Sequence, residues 1–259
     1  MLMRILKLTK TNMQKTIKEF RKKGISKEDE KILLELSENN LSKYKMFAQR
    51  RLFHEPIAYI KGYINFYKRD FVVDNRVYVS TKETEQLINL VLKDLDNSSI
   101  LLDVGTGSGA LAITIKKEKP ETKVFASELS HYALEVAKLN AKQHNADIQF
   151  FESLYVDNLD IPEPTHIIAD LPWGDEDNLL KSNQIKELKH IPSLALFHPE
   201  GKFQAYKELI DSILKKGWKS KLHFESGLIT KQELTTFIPK NLKWEYIQFK
   251  DYSVTVVQF

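Results

Sequence analysis

The 259-residue chain contains no cysteine, which excludes disulfides, zinc–cysteine centres and thiol nucleophiles. No apolar run approaches the roughly 20 residues needed to cross a bilayer. Met1 to Lys10 also lack the continuous apolar stretch of a signal peptide. A soluble, cytoplasmic protein is expected, with no membrane partner. Seven histidines are scattered without an H-E-x-x-H or any close ligand pairing, so no metal is expected. No arginine follows Arg76; most of the chain therefore lacks the side chain that commonly reads guanine edges or clamps phosphate. Internal repeats and low-complexity tracts are absent.

Charge is unevenly spread. Residues 1–70 hold 17 lysines and arginines against 8 acids, whereas the remainder holds 22 against 27. A basic amino-terminal region suits an acidic partner or nucleic acid. The plainer reading is a solvated face, since 33 of the 39 basic residues are lysine.

Periodicity gives the coarse organisation. Residues 11–50 read as two or three short helices with Ile32, Leu33, Leu34 and Leu36 on one side. Arg51 to Tyr78 holds alternating, aromatic-rich runs around Gly62 and Asp74-Asn75, consistent with a β-hairpin. Ser80 is expected to open a helix reaching about Leu95, with Glu83 as its capping-box partner. Strands at 99–104, 123–127, 147–151 and 165–169 follow, with helices at 109–118 and 131–143. A helix at 203–215 leads to a strand at 220–225, a helix near 231–237, and strands at 243–249 and 252–258. The last two are joined so closely that they must be antiparallel, because a parallel crossover needs a dozen residues or more.

The most informative stretch is Asp103-Val104-Gly105-Thr106-Gly107-Ser108-Gly109, between an apolar run and a helical pattern. Strand, glycine turn, helix is how a doubly wound α/β sheet presents a nucleoside at the carboxyl end of its first strand. Alone, such a turn is equally an ordinary connection. Glu128 closes the next apolar run, where an acid accepts hydrogen bonds from ribose hydroxyls; alone it would be a surface cap for the helix near Ser130. Asp170-Leu171-Pro172-Trp173 directly follows Thr165 to Ala169, the fourth strand. It puts an acid, a proline and an aromatic at the mouth of the same crevice, although an isolated tetrapeptide of this kind is an ordinary turn.

In this order, DVGTGSG, ASE and ADLPW resemble class I S-adenosylmethionine-dependent methyltransferases, and more narrowly the release-factor glutamine methyltransferases. Arg51 to Gly62, with Glu55-Pro56, is similar to that family's lead-in to the catalytic domain. Val77 to Ile88, with Thr84 and Glu85, resembles its Pro-x-Thr-Glu helix start. Ile191 to Phe197 and Lys250-Asp251-Tyr252-Ser253 resemble later segments, so the likeness covers roughly residues 50–259. It implies a mostly parallel, seven-stranded, Rossmann-like sheet ending in an antiparallel hairpin. It also implies a helical substrate-docking domain at 1–55 and a methyltransferase domain at 56–259, linked by a hairpin at about 57–79. A monomer is expected.

The resemblance implies S-adenosylmethionine held by Asp103, Gly105, Thr106, Gly107, Ser108, Gly109, Glu128, Tyr155 and Asp170, with Tyr155 near the adenine ring. It implies a glutamine amide held by Asp170, Leu171, Pro172 and Trp173, and a peptide chain release factor as the protein substrate. Three features depart from the family. Its tetrapeptide is Asn-Pro-Pro-Tyr rather than Asp170-Leu171-Pro172-Trp173, Leu154 stands where an acid is usual, and the helical domain is short.

The residues themselves fit N-methylation. Acceptors at Asp170 and the Leu171 carbonyl would take the two N–H bonds of an amide, and Trp173 would stack on its plane or serve as a core aromatic. An ionised Asp170 would favour the cationic nitrogen formed during transfer. The Asp-x-Pro-aromatic form also resembles methyltransferases acting on the exocyclic amine of adenine in RNA or DNA, so nucleic acid stays open as a partner. A binding module without catalysis is the third reading.

Overall fold

The computed structural model describes residues 2–172, 186–227, 229–250 and 252–259, with side chains from residue 11 onward. Two compact units emerge, residues 1–63 with 183–190, and residues 64–182 with 191–259.

The first unit is helical, with α1 (Leu2–Lys22), α2 (Lys27–Ser37), α3 (Leu41–Leu52) and the short α4 (Ile57–Lys61). Met13, Phe20, Leu33, Tyr44 and Ala48 close on one another with Ile25 and Ile60 to form its core. Ser26 starts α2 by accepting the Asp29 N–H, and Asn40 starts α3 by accepting those of Ser42 and Lys43. The hairpin expected from Arg51 onward begins later, because residues 51–61 are largely helical. Arg50 explains this: its guanidinium grips Glu55 through two bonds of 2.7 and 2.5 Å, closing the turn between α3 and α4. Arg51 meanwhile pairs with Asp29 and Glu187. The Glu-Pro lead-in is therefore a structural clasp. The hairpin itself is β1 (Tyr63–Phe66) with β2 (Arg69–Val72).

The second unit is built on seven strands: β3 (Ile100–Val104), β4 (Lys123–Glu128), β5 (Gln149–Glu152), β6 (His166–Ala169), β7 (Lys221–Glu225), β8 (Lys243–Gln248) and β9 (Ser253–Gln258). Their order is β5-β4-β3-β6-β7-β9-β8. Strand β9 runs antiparallel to both neighbours, and the other pairings are parallel. Helices α5 (Thr84–Asp94), α6 (Ala110–Glu118), α7 (His131–Gln143), α8 (Gln204–Lys216) and α9 (Lys231–Phe237) belong to the same unit. Covering on both faces makes the central strands continuous apolar runs: Leu101, Leu102 and Val104 in β3, and Ile167, Ile168 and Ala169 in β6, are all buried. The winding reverses between β3 and β6, and an open α/β sheet offers its ligand crevice beyond the carboxyl ends at such a point. This is the Rossmann-like class I methyltransferase fold. No helix among the described residues is long and apolar enough to cross a membrane.

Helix α5 begins at Thr84 rather than Ser80, and Glu83 at its start makes no side-chain cap. Its first turn serves the hairpin instead. Glu85 accepts the N–H of Tyr67 at 2.9 Å, and Tyr67 sits at the hairpin turn with φ +46°.

One buried amide fastens three pieces of this unit. Asn140 on α7 accepts the Val72 N–H at 2.8 Å, and donates to the Val72 carbonyl at 2.9 Å and the Ser108 carbonyl at 2.8 Å. The hairpin, α7 and the glycine turn are thus joined through one side chain. Asn140→Ala would strand these groups away from water, each costing about 1–3 kcal/mol. Urea unfolding is expected to show a loss of about 2–4 kcal/mol, against less than about 0.5 for exposed Gln143→Ala on the same helix. Equal small losses would contradict the fastening role.

Candidate active site

The glycine turn is held from two sides. Gly105 and Thr106 both donate their N–H to the Ser127 carbonyl on β4, at 2.9 and 3.0 Å. Beneath the turn lies Asp103, which is buried. Its Oδ2 accepts the Thr106 hydroxyl at 2.6 Å and the Ala112 N–H at 3.2 Å, so this carboxyl braces the turn and the start of α6. Burial pushes Asp103 up to about 7, against the lowering effect of those two bonds. Gly105 has φ +72°, and a Cβ there would come within 2.6 Å of Leu171 Cδ2. Gly109, at φ +81°, would meet Ile113 Cδ1 at 2.9 Å and Ala137 at 3.3 Å. Side chains are therefore excluded at both positions, and the turn packs directly on the segment after β6. Gly107 also has positive φ. Ser108 is buried, and its Oγ has no partner among the described residues.

Glu128 closes β4 half-buried. Its Oε2 accepts the Gly107 N–H and its Oε1 the Ser130 N–H, both at 2.9 Å. It therefore faces the turn as well as the start of α7, whose own cap is Ser130. Burial pushes its carboxyl upward against these bonds. Tyr155 is a buried member of the core, with φ +49°. Its hydroxyl donates to Glu208 on α8 at 3.0 Å, and its carbonyl accepts from Ser127 Oγ. Leu154, beside it, is exposed.

At the end of β6, Asp170 meets an acid that the sequence reading did not single out. Asp170 is half-buried and hydrogen-bonds to Glu225, the last residue of β7, and to Thr84 at the start of α5. Glu225 Oε2 also accepts the hydroxyls of Thr84 and Tyr252, each at 3.3 Å. Burial pushes Asp170 well above the carboxylate range, and the neighbouring Glu225 charge pushes it further. Burial raises Glu225 too. Two neighbouring carboxylates disfavour each other's ionisation, so the pair holds a proton more tightly than either acid would alone. The ionised Asp170 expected from sequence is opposed by this setting, since burial and the second acid both favour its protonated form.

Leu171 is buried, and Pro172 is half-buried. The Tyr206 hydroxyl on α8 bridges the Leu171 N–H and carbonyl, each at 3.1 Å. One lone pair of that carbonyl is therefore taken and one remains. Trp173 and Asp251 lie outside the described residues. Glu225 was legible in principle, since Leu222 to Glu225 is a strand ending in an acid, the pattern that singled out Glu128. Tyr206 carries no such signal, because an aromatic on a helix looks like core, and Tyr252 stood out only within the likeness of Lys250 to Ser253.

Residues 69–179 match the model of the methyltransferase small domain. The chain is 32% identical over 204 residues to a release factor glutamine methyltransferase of Staphylococcus aureus, covering 76% of this chain and 72% of that protein. It is 34% identical over 194 residues to a bifunctional methyltransferase of Rickettsia prowazekii, covering 66% of this chain but spanning only 37% of that longer protein. Among solved structures, the hMettl16 catalytic domain superposes with a TM-score of 0.55 at 13% identity, covering 73% of this chain and 74% of that one, a likeness of fold alone. A relative of this identity and coverage, joined to the glycine turn and the closing segment of β6, makes the chain a member of the release factor glutamine methyltransferase family.

Proposed function

We propose that the chain transfers a methyl group from S-adenosylmethionine to the side-chain amide nitrogen of the glutamine in the Gly-Gly-Gln motif of a peptide chain release factor, acting as a cytoplasmic monomer in translation termination. The observation that carries this reading is the placing of Asp170 beside Glu225 at the carboxyl ends of β6 and β7, next to the glycine turn. A protonated Asp170 keeps one carbonyl oxygen as acceptor and adds one donor, the pair of functions that an asparagine amide offers. The adenine reading drew on the Asp-x-Pro-aromatic form and the basic amino-terminal region, whereas the relatives covering most of the chain are named for glutamine.

The turn from Gly105 to Gly109 suits the cofactor, since it brings main chain close where a Cβ would fill the space and leaves Ser108 Oγ without a partner. Glu128, at its rim, is assigned to the ribose hydroxyls. When bound, the cofactor supplies a methyl on a positively charged sulfur. An amide nitrogen is a poor nucleophile because its lone pair is delocalised, so the protein's task is alignment, which can supply up to roughly 7–11 kcal/mol in well-oriented cases. The outward oxygen of Asp170 and the free lone pair of the Leu171 carbonyl accept the two amide N–H bonds, turning the nitrogen lone pair toward the methyl. Pro172 limits the backbone there, and Trp173 is assigned to stack on the amide. The amino-terminal helices, basic in sequence, are assigned to docking the release factor.

Three outcomes follow from this reading. Incubating the enzyme and cofactor with a release factor should add one methyl to the Gly-Gly-Gln glutamine by mass spectrometry; no methyl there, with label in RNA or DNA instead, would overturn the substrate. Glu128→Ala should weaken cofactor binding about tenfold or more, since hydrogen bonds to a charged group are worth about 1.5–3 kcal/mol; unchanged affinity by calorimetry in a folded variant would remove Glu128 from the site. The third concerns pH. Asp170 binds its proton more tightly folded than unfolded, so its contribution is complete below the unfolded value near 4 and is lost as pH rises toward the folded one. Wild-type stability and transfer rate should both fall with rising pH relative to Asp170→Asn, which keeps the acceptor and cannot ionise. An inactive Asp170→Asn with normal cofactor binding would show that charge, not acceptor geometry, is required.

A further inference from the structure

At the opposite end of the sheet, three residues far apart in sequence converge. Asp94 closes α5, His166 opens β6, and His223 lies in β7. One donor atom from each lies within 4.8 Å of the others, and His223 Nε2 stands 3.5 Å from Asp94 Oδ2. His223 is 1% exposed, and neither of its ring nitrogens has a hydrogen-bond partner among the described residues. A buried imidazole left unmatched in this way is costly and calls for an explanation.

His166 is oriented by its neighbours. The Thr165 hydroxyl donates to the Ile100 carbonyl at 3.0 Å and lies 2.9 Å from His166 Nδ1. With the hydroxyl proton already engaged, Nδ1 carries the hydrogen and donates it, leaving Nε2 as the lone-pair donor. Metal-binding histidines are commonly fixed through such a bond on the other nitrogen. The two rings stack with centroids 5.7 Å apart. Donors about 2.1 Å from a tetrahedral zinc ion sit roughly 3.4 Å from one another, close to the separation of His223 and Asp94. A cavity of about 470 Å³, lined by Asp94, His223, Lys221 and Trp244 among others, gives a path from solvent.

We propose that Asp94, His166 and His223 form a binding site for a first-row transition-metal ion such as zinc, with a fourth position open to the cavity. Two imidazoles and one carboxylate suit zinc, cobalt or nickel rather than calcium or magnesium, which take oxygen. Lys221 is the competitor: its Nζ holds Asp94 Oδ2 at 2.9 Å, and it is displaced into the cavity when the ion binds. Lys93, Lys243 and Glu245 complete the charged lining. His166 and Asp170 are four residues apart along the strand, about 13 Å. The ion therefore clamps α5 to β6 and β7 and takes no part in methyl transfer.

The test is titration of chelator-treated, full-length protein with zinc chloride and, separately, cobalt(II) chloride. One equivalent should bind with a dissociation constant on the order of 10 µM or tighter. Cobalt should show the visible absorption of a low-symmetry site, and saturating zinc should raise the melting temperature. Asp94→Asn, a surface change expected to keep the fold by circular dichroism, should weaken zinc at least about tenfold, as should His166→Ala. Lys221→Met should tighten it by removing the competing cation, and exposed His131→Ala should leave it unchanged. No binding at about 100 µM zinc, or binding that survives both Asp94→Asn and His166→Ala, would overturn the proposal.

Discussion

The crevice is organised around two neighbouring acids. Asp170 and Glu225 end adjacent parallel strands, and the register of β6 with β7, pairing Ala169 with Phe224, brings their carboxyls side by side. Thr84 and Tyr252 supply further donors, so hydrogen-bonding groups surround the half-buried pair. Burial raises both acids, which favours a protonated Asp170 that still offers an acceptor oxygen. A substitution that looks drastic in sequence, acid for amide, thus becomes conservative once a second acid stands behind it.

The rest of the site is arranged to keep that acceptor beside the glycine turn. Leu171 packs so tightly on Gly105 that any side chain there would clash. Tyr206 pins the Leu171 backbone from α8, and Asp103 pins the turn from below. Asn140 carries the same rigidity outward to the hairpin. Strand ends, a glycine turn and three buried polar side chains therefore form one continuous scaffold, and alignment is the main thing a methyl transfer asks of a protein.

Much of this was legible in the sequence. The apolar runs of β3, β4 and β6 announce buried parallel strands, the short β8–β9 connection forces an antiparallel pair, and the glycine turn marks the switch point. What escaped was non-local. Residues 51–61 look like alternating strand, but Arg50 and Glu55 close a helical turn. Ser80 and Glu83 have capping-box spacing, yet the helix starts at Thr84, whose first turn is engaged with Glu225 and the hairpin. The charge state of Asp170 depends on a residue 55 positions away, and the convergence of Asp94, His166 and His223 depends on how three separate elements pack. Local pattern carries no record of either.

The central claim is that Asp170, beside Glu225, holds its proton more tightly than an ordinary aspartate does. A difference infrared spectrum between wild type and Asp170→Asn, recorded with isotope-labelled aspartate, tests it most directly. The account predicts that the carbonyl stretch of a protonated carboxyl persists to higher pH than an ordinary aspartate allows, and disappears as the pH is raised further. A carboxylate pair that replaces the carboxyl band at the pH of an ordinary aspartate, near 4, would contradict it.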